Sequence, residues 1–577
     1  MIHVIDFEVF KYDWLCVIQN RNIGKTVIVN DRKALVKYYE DNKNDVFVGY
    51  NIRGYDQFIF KGILLGFDPK EINDYIILCG QKGYSYSRDF NKIPLKIFDV
   101  KFNQAIGLKQ LEGFMGDDIR ETTVPFNIDR KLNVKELEEV IFYCEHDVAE
   151  TMKVFTKCFE EFTSQLEIIN TFRLSSSNLS KTKAQLTATV LNAQRKKHND
   201  QFDYVIPDNL KIKKYKNVVD WFVEQQGNKN LLSVKDFYNQ KLTVDVAGVP
   251  HVFAWGGIHG ARVLYNESGY FINVDVASYY PSLMIEYDYI SRNVTNPNKF
   301  KEVYRKRLEY KAMKDKRQAP LKIVLNSTYG AMKDQYNNLY DPLMANNVCV
   351  TGQLLLLDLI EQLEPCCEII QSNTDGVLVK LKANNDEEAT AEFNKVKAIC
   401  DEWQERSKMK LEFDDYVKVI QKDVNNYIII DKDGNYKSKG GWVKKLNELD
   451  YNLPIVNRAL INYFVHGVEV EETVNNCDDL MEFQIIYKVQ GNYTHAQHNN
   501  TKLTEKYFRV FASKDTNDTT LYKVKFGEKL EKFAECPENC FIDNSEVKDK
   551  QVDTKLNKKW YIDLAKKRII DFTGEDF

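Results

Sequence analysis

Short apolar runs alternate with amphipathic stretches along the first 165 residues. The strand-like runs MIHVIDFEVF, DVFVGYN and LKIFDVKF are separated by helical patterns, and a long amphipathic stretch covers residues 134–162. Runs of period two indicate strands, and a period of 3.6 indicates helices that bury one face. Their alternation predicts an α/β domain over residues 1–165.

The pattern changes three more times along the chain. Residues 166–244 are polar and mostly helical, which predicts a connector. Strand-like runs return near residue 245, give way to a basic helical hairpin and resume through residue 440, so we expect one sheet with a helical insertion. The last segment mixes strands with loops and ends on the amphipathic helix KKWYIDLAKKRIIDF. We therefore expect an α/β and α+β multidomain chain with the segments 1–165, 166–244, 245–297, 298–340, 341–440 and 441–577.

Two carboxylates share one face of the first strand. Alternation in MIHVIDFEVF puts Asp6 and Glu8 on one side and apolar residues on the other. Neighbouring carboxylates repel each other unless they are exposed or a divalent cation neutralises them. The sequence leaves both readings open, an exposed edge strand or a metal site.

Further acidic residues follow at characteristic positions. Asp56 comes after the strand-like run VFVGYN, at a strand-to-helix junction where a helix N-terminus favours anions. Tyr143 and Asp147 in YCEHD are four residues apart and so lie on the same helical face.

A second acidic strand lies in the run FINVDVASYYPS. Here Ile272, Val274 and Val276 point to one face, which leaves Asn273 and Asp275 on the other. One side of this strand is therefore expected to be dry and the other acidic.

Two more motifs follow this strand. KIVLNSTYG puts Lys322, Asn326 and Tyr329 on one helical face. In QSNTDGVLVK, two β-like runs flank a turn in which Asp-Gly is expected to supply the positive φ of a tight hairpin. Asp375 is therefore either a plain turn residue or a carboxylate on a rigid support for a metal.

Charge is unevenly distributed in a chain of 577 residues with a net charge of −4. Between Lys299 and Lys322 there are ten Lys or Arg against three acidic residues. Such a run is either a solvated helix face or a surface that binds anions such as nucleic acid.

Cysteine content and apolar runs exclude other classes. The eleven cysteines show no repeated CxxC spacing, which indicates reduced thiols rather than a zinc site. The longest apolar stretches fall short of the roughly 20 residues that a membrane span requires, so no span is expected. Acidic residues at the start of MIHVIDFEVF are unlike a secretory signal, which predicts a cytoplasmic protein.

The order and spacing of these motifs resemble a known family. The first set is similar to the DxE, NxxxYD and YxxxD motifs of DEDD-type proofreading exonucleases with a tyrosine in the third motif. SYYPS, KIVLNSTYG and SNTDG resemble motifs A, B and C of family B DNA polymerases of the small bacteriophage type. The resemblance implies an RNase H-like 3′→5′ exonuclease domain (1–165) and a right-hand polymerase. Its palm would be 245–297 and 341–440, its fingers 298–340, and its thumb with a C-terminal region 441–577.

The resemblance also implies a role for each matching residue. Two Mg²⁺ ions per active site, with Mn²⁺ as a substitute, would cleave or form a phosphodiester, because hard cations prefer carboxylate oxygens. The implied metal ligands are Asp6, Glu8, Asp56 and Asp147 in one site, and Asp275, Asp375 and the Val276 backbone in the other. Tyr143 would orient the attacking water. The implied nucleotide-binding residues are Lys322, Arg307, Lys311, Asn326, Tyr329, Tyr280, Ser278 and Val276. The implied DNA-binding residues are Asn51, Tyr55, Trp255, Gly256, Gly257, Lys422 and Tyr427.

The match departs from the family pattern at three places. Asn373 stands where motif C usually has its first Asp, and an amide carries no charge to bridge metals. Asn425 replaces the lysine of the KxY motif, with Lys422 as its expected stand-in. Ala254 replaces the tyrosine of a Tyr-x-Gly-Gly motif, so the ring of Trp255 either substitutes for it or is simply a buried aromatic.

The sequence thus predicts a DNA polymerase with proofreading exonuclease, acting on a DNA primer-template and dNTPs in phage replication. Its compartment would be the cytoplasm, that of a bacterial host if the gene belongs to a phage. Only 47 residues separate Asp275 from Lys322, and 46 separate Tyr329 from Asp375. These distances leave no room for the insertions of protein-primed phage enzymes, so no terminal protein is expected, and a processivity or replisome partner is left open. The alternatives are an active exonuclease with an impaired polymerase half and a non-catalytic DNA-binding scaffold.

Overall fold

The computed structural model describes residues 1–20, 22, 24–101, 106–227 and 233–574. The chain forms two compact units. Unit 1 comprises Met1–Lys181, Leu446–Ile455 and Val474–Ile562, and unit 2 comprises Thr182–Lys445, Val456–Thr473 and Asp563–Phe577. The end of the predicted run LKIFDVKF, residues 228–232 of the predicted connector and residues 575–577 of the last segment lie outside the described residues.

Helices and strands alternate along both units, which confirms the mixed α/β character expected from the pattern. The strands are β1 (Ile2–Val9), β2 (Trp14–Asn20), β3 (Gly24–Val29), β4 (Val46–Gly49), β5 (Lys96–Asp99), β6 (Leu242–Val246), β7 (Val249–Phe253), β8 (His259–Ala261), β9 (Tyr265–Val276), β10 (Cys367–Asn373), β11 (Gly376–Leu381), β12 (Leu411–Asp423), β13 (Asn426–Ile430), β14 (Tyr436–Lys439), β15 (Ile485–Lys488), β16 (Tyr493–His498), β17 (Thr501–Leu503), β18 (Tyr507–Ala512), β19 (Tyr522–Lys525), β20 (Leu530–Lys532) and β21 (Cys540–Ile542). The α-helices are α1 (Arg32–Asn42), α2 (Asp56–Leu65), α3 (Pro69–Ile77), α4 (Leu108–Phe114), α5 (Val134–Lys157), α6 (Phe159–Thr171), α7 (Lys183–Val190), α8 (Lys216–Gly227), α9 (Val234–Tyr238), α10 (Tyr279–Glu286), α11 (Pro297–Ala312), α12 (Gln318–Lys333), α13 (Pro342–Leu363), α14 (Asp386–Ser407), α15 (Pro454–Ile461), α16 (Val470–Asn475) and α17 (Lys558–Thr573).

A five-stranded sheet of order β3-β2-β1-β4-β5 forms the centre of unit 1. β1 pairs with β2 in antiparallel and with β4 in parallel fashion. The apolar side chains Ile5, Phe7 and Val9 are buried in the main core of the unit. Because β1 is a central strand, the interpretation of its carboxylates as an exposed edge strand is wrong.

The segment 441–577, which the pattern treats as one region, is divided between the two units. In unit 1 it forms two small sheets, β15-β18-β21 and β17-β16-β19-β20. Arg509 on β18 is fully buried and donates to the carbonyls of Gly113 at 3.2 Å and Asp117 at 2.7 Å. Lys548 also pairs with Asp117 at 2.7 Å. These buried polar contacts join residues far apart in sequence, so a local pattern does not reveal them.

Unit 2 is built on a nine-stranded sheet of order β14-β13-β12-β9-β11-β10-β8-β7-β6. Helices α10 to α13 lie between β9 and β10 in the chain. Helices α11 and α12 correspond to the predicted insertion at residues 298–340, whereas α10 and the long helix α13 extend it on both sides, where strands were expected. Among the described residues, α13 is the one helix that is long and apolar enough to cross a membrane, and 94% of that stretch is buried inside the protein. It therefore has the burial of a core helix.

Much of the predicted connector packs as part of unit 2. Ala193 forms a β-bridge with Val294, and the amide of Gln194 donates to the carbonyl of Asn293 at 2.8 Å. Helix α7 packs against α12. The polar helical pattern of the predicted connector thus includes a helix, α7, that packs against the inserted helix α12.

Candidate active sites

The first candidate site lies in unit 1, on the acidic face of β1. Asp6, Glu8 and Cys144 each offer a ligand atom, and these atoms lie within 4.8 Å of one another. The Cys144 thiol, on α5, lies 3.5 Å from Asp6 Oδ2 and donates a hydrogen bond to it. The thiol therefore holds one carboxylate in place, while the hard oxygen donors are those of the acids.

The other two predicted acids reach the same cluster from helices. Asp56 is the first residue of α2, at the predicted junction, and its Oδ1 accepts from the amide of Phe7 at 3.3 Å. Asp147 is buried on α5, one turn after Tyr143, as the spacing predicts. The four carboxylates thus come from one strand and two helices.

Burial and mutual repulsion raise the pKa values of the acids in this cluster, so their charged forms are disfavoured there. Burial, followed by the charge of Asp147, raises the pKa of Asp6 to about 7. Burial and the neighbouring acids raise the pKa of Glu8 and of Asp56 well above their usual range. Since the donors are carboxylate oxygens that repel one another, the cluster fits a hard divalent cation such as Mg²⁺.

A lysine that the sequence analysis missed lies at this cluster. Lys109 on α4 is buried and forms ion pairs with Asp147 and with Glu112, the latter at 3.1 Å. Its ammonium also lies 4.4 Å from the ring centre of Tyr143. Burial raises the pKa of Asp147 to about 6 even though Lys109 opposes this shift. Lys109 therefore offsets part of the negative charge and fixes Tyr143 beside the acids.

We expect Lys109→Met to destabilise unit 1 by about 3–5 kcal/mol, the typical cost of leaving one partner of a buried ion pair alone. Both side chains of the Lys109–Asp147 pair are at most 10% exposed. The measurement is the free energy of unfolding in EDTA. The double variant Lys109→Met/Asp147→Asn should recover part of the loss, since Asp147 is then no longer a buried charge without its lysine, while Glu112 still lacks it. A single variant as stable as the parent would contradict this role for Lys109.

The two residues predicted to touch a single strand near this site have structural contacts of their own. Asn51 has a positive φ of 64°, and its amide donates to Asp99 at 3.0 Å. Gly54 packs so closely that a Cβ would lie 2.8 Å from Asn51 Oδ1. Tyr55 donates through its hydroxyl to Asn73 at 2.8 Å. Both residues therefore shape the turn that presents Asp56, and their contact with a strand stays a prediction.

The second candidate site lies in unit 2, at the hairpin of β10 and β11. Asn373 pairs with Gly376 across a two-residue turn, as predicted. The positive φ, however, is at Thr374, at 63°, and not in the Asp-Gly pair. A Cβ on Gly376 would lie 1.9 Å from Asp275 Oδ1, so glycine is required here by a close approach.

The hairpin tip brings Asp375 beside Asp275. The amide of Val276 donates to the carbonyl of Asp375 at 2.7 Å, which joins the ends of the two elements. Burial, then the charges of Asp375 and Asp414, raise the pKa of Asp275 to about 6, and desolvation raises the pKa of Asp375. As in unit 1, two oxygen donors that repel each other fit a hard divalent cation.

A cavity of about 580 Å³ opens beside these two acids. Arg307 and Lys311 from α11 and Lys322 from α12 line it. Arg307 is buried and hydrogen-bonds Ser278 Oγ. The other predicted nucleotide-binding residues that line the cavity are Asn326, Tyr280, Ser278 and Val276. The structure therefore brings both acids and three cations to one cavity.

Tyr329 is the one predicted nucleotide-binding residue that does not line this cavity. Its ring packs against Tyr280, with the ring centres 4.4 Å apart. It therefore supports Tyr280, which faces the cavity, from behind.

Gln318 and Glu412 also line the cavity and are polar residues that the sequence analysis missed. Glu412 on β12 pairs directly with Asp275 on β9, so both side chains share one face of the sheet. Lys311 Nζ lies 2.7 Å from Glu412 Oε1. No motif signals Glu412, because its place depends on the pairing of strands about 135 residues apart, a separation beyond any local pattern.

Two of the predicted DNA-binding residues have other partners in the structure. Trp255 is buried, with its ring centre 4.5 Å from that of Phe237, so the alternative of a buried aromatic holds and its ring does not replace the missing tyrosine. Lys422 Nζ lies 4.4 Å from the centre of the Trp442 ring, and its contact with DNA stays a prediction. A sequence does not reveal which neighbour a lysine meets on a folded sheet.

The remaining DNA-binding predictions lie close to the hairpin. A Cβ on Gly257 would lie 2.7 Å from Thr374 Oγ1, so the glycine permits the hairpin to approach, whereas the neighbouring Gly256 has open space. Tyr427 lines a second, smaller cavity with Asp275 and Asp375. Contact of these residues with DNA stays a prediction.

Comparison with known proteins gives distant relatives. The "DNA polymerase 1" proteins of Sulfurisphaera ohwakuensis and Saccharolobus solfataricus are each 24% identical to this chain, over 217 and 211 residues. These matches cover 37% and 36% of this chain but only 23% and 22% of the relatives, less than a quarter of their length. They support a relationship to DNA polymerases at low identity.

A solved structure also resembles the chain over most of its length. The family B DNA polymerase from the archaeon Pyrobaculum calidifontis is 13% identical and has a TM-score of 0.41, with 99% of this chain and 77% of that chain covered. No protein-family model matches the sequence.

Proposed function

We propose that the chain is a template-directed DNA polymerase of the family B type that extends a primer with dNTPs and proofreads with a 3′→5′ exonuclease. The cavity in unit 2 carries the proposal. Asp275 and Asp375 lie at the same cavity as Arg307, Lys311 and Lys322, which is what a triphosphate and its reacting phosphorus require. The distant polymerase relatives agree with this reaction.

The residues of the cavity divide the work of phosphoryl transfer. Arg307, Lys311 and Lys322 bind and orient the triphosphate, because catalysis of this reaction is mostly positioning and charge stabilisation. The proposed role of Tyr280, which lines the cavity and packs against Tyr329, is to exclude a 2′-hydroxyl. Two Mg²⁺ ions, held by Asp275, Asp375 and the Val276 carbonyl, would supply neutralisation of the developing charge.

For unit 1 we propose 3′→5′ exonuclease activity. Asp6, Glu8, Asp56 and Asp147 would hold the divalent ions, and the packing of Tyr143 under Lys109 supports its proposed role in orienting water. For the whole chain, the proposed substrates are primer-templates and dNTPs. We propose that priming needs no terminal protein, because the polymerase half has short distances between its motifs, and that the chain acts in phage replication.

The direct test is incorporation of a labelled dNTP into a primed template in Mg²⁺. We expect incorporation that needs both primer and template. Binding of DNA that survives EDTA, without turnover in Mg²⁺, would instead favour the non-catalytic scaffold.

The alternative hypothesis, an active exonuclease with an impaired polymerase half, depends on Asn373. One variant at this position distinguishes the alternative from our proposal. The side chain of Asn373 interacts with His259 and Tyr427, so it is part of the hairpin's polar surroundings. We expect Asn373→Asp to change the steady-state extension rate by less than about tenfold, because the principal carboxylates Asp275 and Asp375 are already in place. A gain of several hundredfold would show that Asn373 is a lost ligand and would favour the alternative.

A further inference from the structure

A cavity of about 640 Å³ in unit 1 is lined by lysines from four separate parts of the fold. Lys43 directly follows α1, Lys61 lies on α2, Lys92 ends a 3₁₀ turn and Lys96 begins β5. Among the described residues that line the cavity, Glu40 is the one acid. Ammonium groups that gather in this way repel one another, and an anion placed between them relieves the repulsion.

This lysine cavity lies at the end of the sheet opposite the acidic cluster of unit 1. Lys96 pairs with Val46 at the start of the parallel strands β5 and β4, and Val46 pairs with Ile2 at the start of β1. Asp6 comes later on β1, about 13 Å further along at roughly 3.3 Å per residue. The lysine cavity is therefore separate from the candidate exonuclease site.

Two of the four lysines have no carboxylate partner in the described part of the chain. Lys61 is partly buried, which lowers its pKa, and its Nζ lies 3.5 Å from the amide oxygen Oε1 of Gln57. Lys96 donates to the carbonyl of Asn44 at 2.7 Å. These two cations are therefore solvated by neutral oxygens and can take an anion without first breaking an ion pair.

The other two lysines form ion pairs that are easily exchanged. Lys43 pairs with Glu40 at 2.7 Å, and Lys92 pairs with Asp89 at 2.8 Å. All four side chains are about half exposed or more. Exposed pairs contribute little to stability, so a phosphate oxygen can replace either acid as the partner of the lysine.

The size and the remaining lining of the cavity indicate the kind of anion. Tyr39 and Phe90 are buried beside it, and the Tyr39 hydroxyl donates to the carbonyl of Pro94 at 2.7 Å, which ties α1 to the segment before β5. Asn91 and Ser177 add uncharged hydrogen-bonding groups. The volume is in the range of small-ligand pockets, and several ammonium groups match the oxygens of phosphate. The lining thus fits a phosphate that carries an organic group.

We propose that the lysine cavity is a phosphate-binding site of unit 1 that takes one nucleotide unit. Its source is either a free nucleoside phosphate or one nucleotide of a DNA strand, because both offer the same phosphate oxygens to the lysines. The site goes beyond the proposed function, since none of the predicted metal ligands lines this cavity. It is a binding site, with no chemical step assigned to it.

The test measures acetylation of individual lysines in the full chain, in EDTA, by mass spectrometry. The probes are dTTP, inorganic tripolyphosphate and an oligothymidine without terminal phosphates. At a probe concentration of about four times Kd, we expect Lys61 and Lys96 to react about fivefold more slowly. Lys37 is exposed on α1 and does not line the cavity, so its rate is the internal control and should not change.

One variant checks that the protection comes from this site. Lys61→Gln should raise the probe concentration that protects Lys96 about tenfold, because one charge-assisted hydrogen bond is lost. Lys37→Gln is the matched control and should leave it unchanged. Lys92→Gln, at an exposed ion pair, is a second variant that removes a cavity charge without touching the core, and it should act in the same direction.

The probes also distinguish the two sources of the phosphate. Protection by dTTP and tripolyphosphate alone indicates a free nucleotide, whereas protection by the oligothymidine indicates a DNA strand. Cavity lysines that react at the same rate with and without every probe would overturn the inference. So would protection that extends equally to Lys37, or that persists unchanged in both Lys61→Gln and Lys92→Gln. None of these outcomes depends on whether the chain extends or shortens primers.

Discussion

Asp375→Asn abolishes primer extension and leaves 3′→5′ shortening intact. Asp375 lies at the tip of a hairpin, and its backbone carbonyl accepts a hydrogen bond from the amide of Val276. An asparagine side chain at this position therefore keeps the shape of the hairpin and removes one charge. Removal of a group that stabilises transition-state charge typically costs 10²–10³-fold in rate, and we expect a loss of about 10³-fold. The measurement is the single-turnover rate of dNTP incorporation.

Asp415→Asn is the matched control for this variant. Asp415 is exposed on β12 and alternates with Glu412 and Asp414, so its side chain leaves the opposite face of the sheet. We expect this variant to extend primers like the parent chain. Extension that persists in Asp375→Asn at more than a tenth of the parent rate would show that the hairpin carboxylate is only a turn residue.

Asp6→Asn abolishes shortening and leaves extension intact. The substitution removes one of the four carboxylates that crowd together in unit 1, and we expect the rate of nucleotide release from single-stranded DNA to fall by about 10³-fold. It also relieves repulsion between like charges, so the thermal midpoint in EDTA should stay the same or rise. This combination separates loss of chemistry from loss of the fold.

Glu138→Gln, at an exposed position on the same helix as Asp147, is the control for unit 1. We expect it to shorten DNA like the parent. If the Asp6→Asn variant still releases nucleotides at the parent rate, the acidic cluster is not an exonuclease site.

Local alternation was enough to predict the strands that carry the main acids. Successive side chains in β1 and β9 point to opposite faces of the sheet, so the order of residues along each strand is enough to show which face is acidic. The hairpin at Asp375 was also predicted, although its positive φ falls on Thr374 and the glycine serves a close approach to Asp275.

The residues that the sequence did not reveal reach the sites through distant pairings. Lys109 comes from the short helix α4 and Glu412 from β12. Their neighbours are decided by which strands and helices pack together, and no spacing along the chain records that. The same reason explains why the sequence did not reveal the ring contacts of Lys422 with Trp442 and of Trp255 with Phe237.

The most direct test of the account is one assay with a 5′-labelled primer on a template in Mg²⁺, with and without dNTPs. We expect the parent chain to extend the primer with dNTPs and to shorten it without them. Asp375→Asn should only shorten, and Asp6→Asn should only extend. Shortening without any extension by the parent chain would contradict the central claim, because the cavity at Asp275 and Asp375 would then not be a polymerase site.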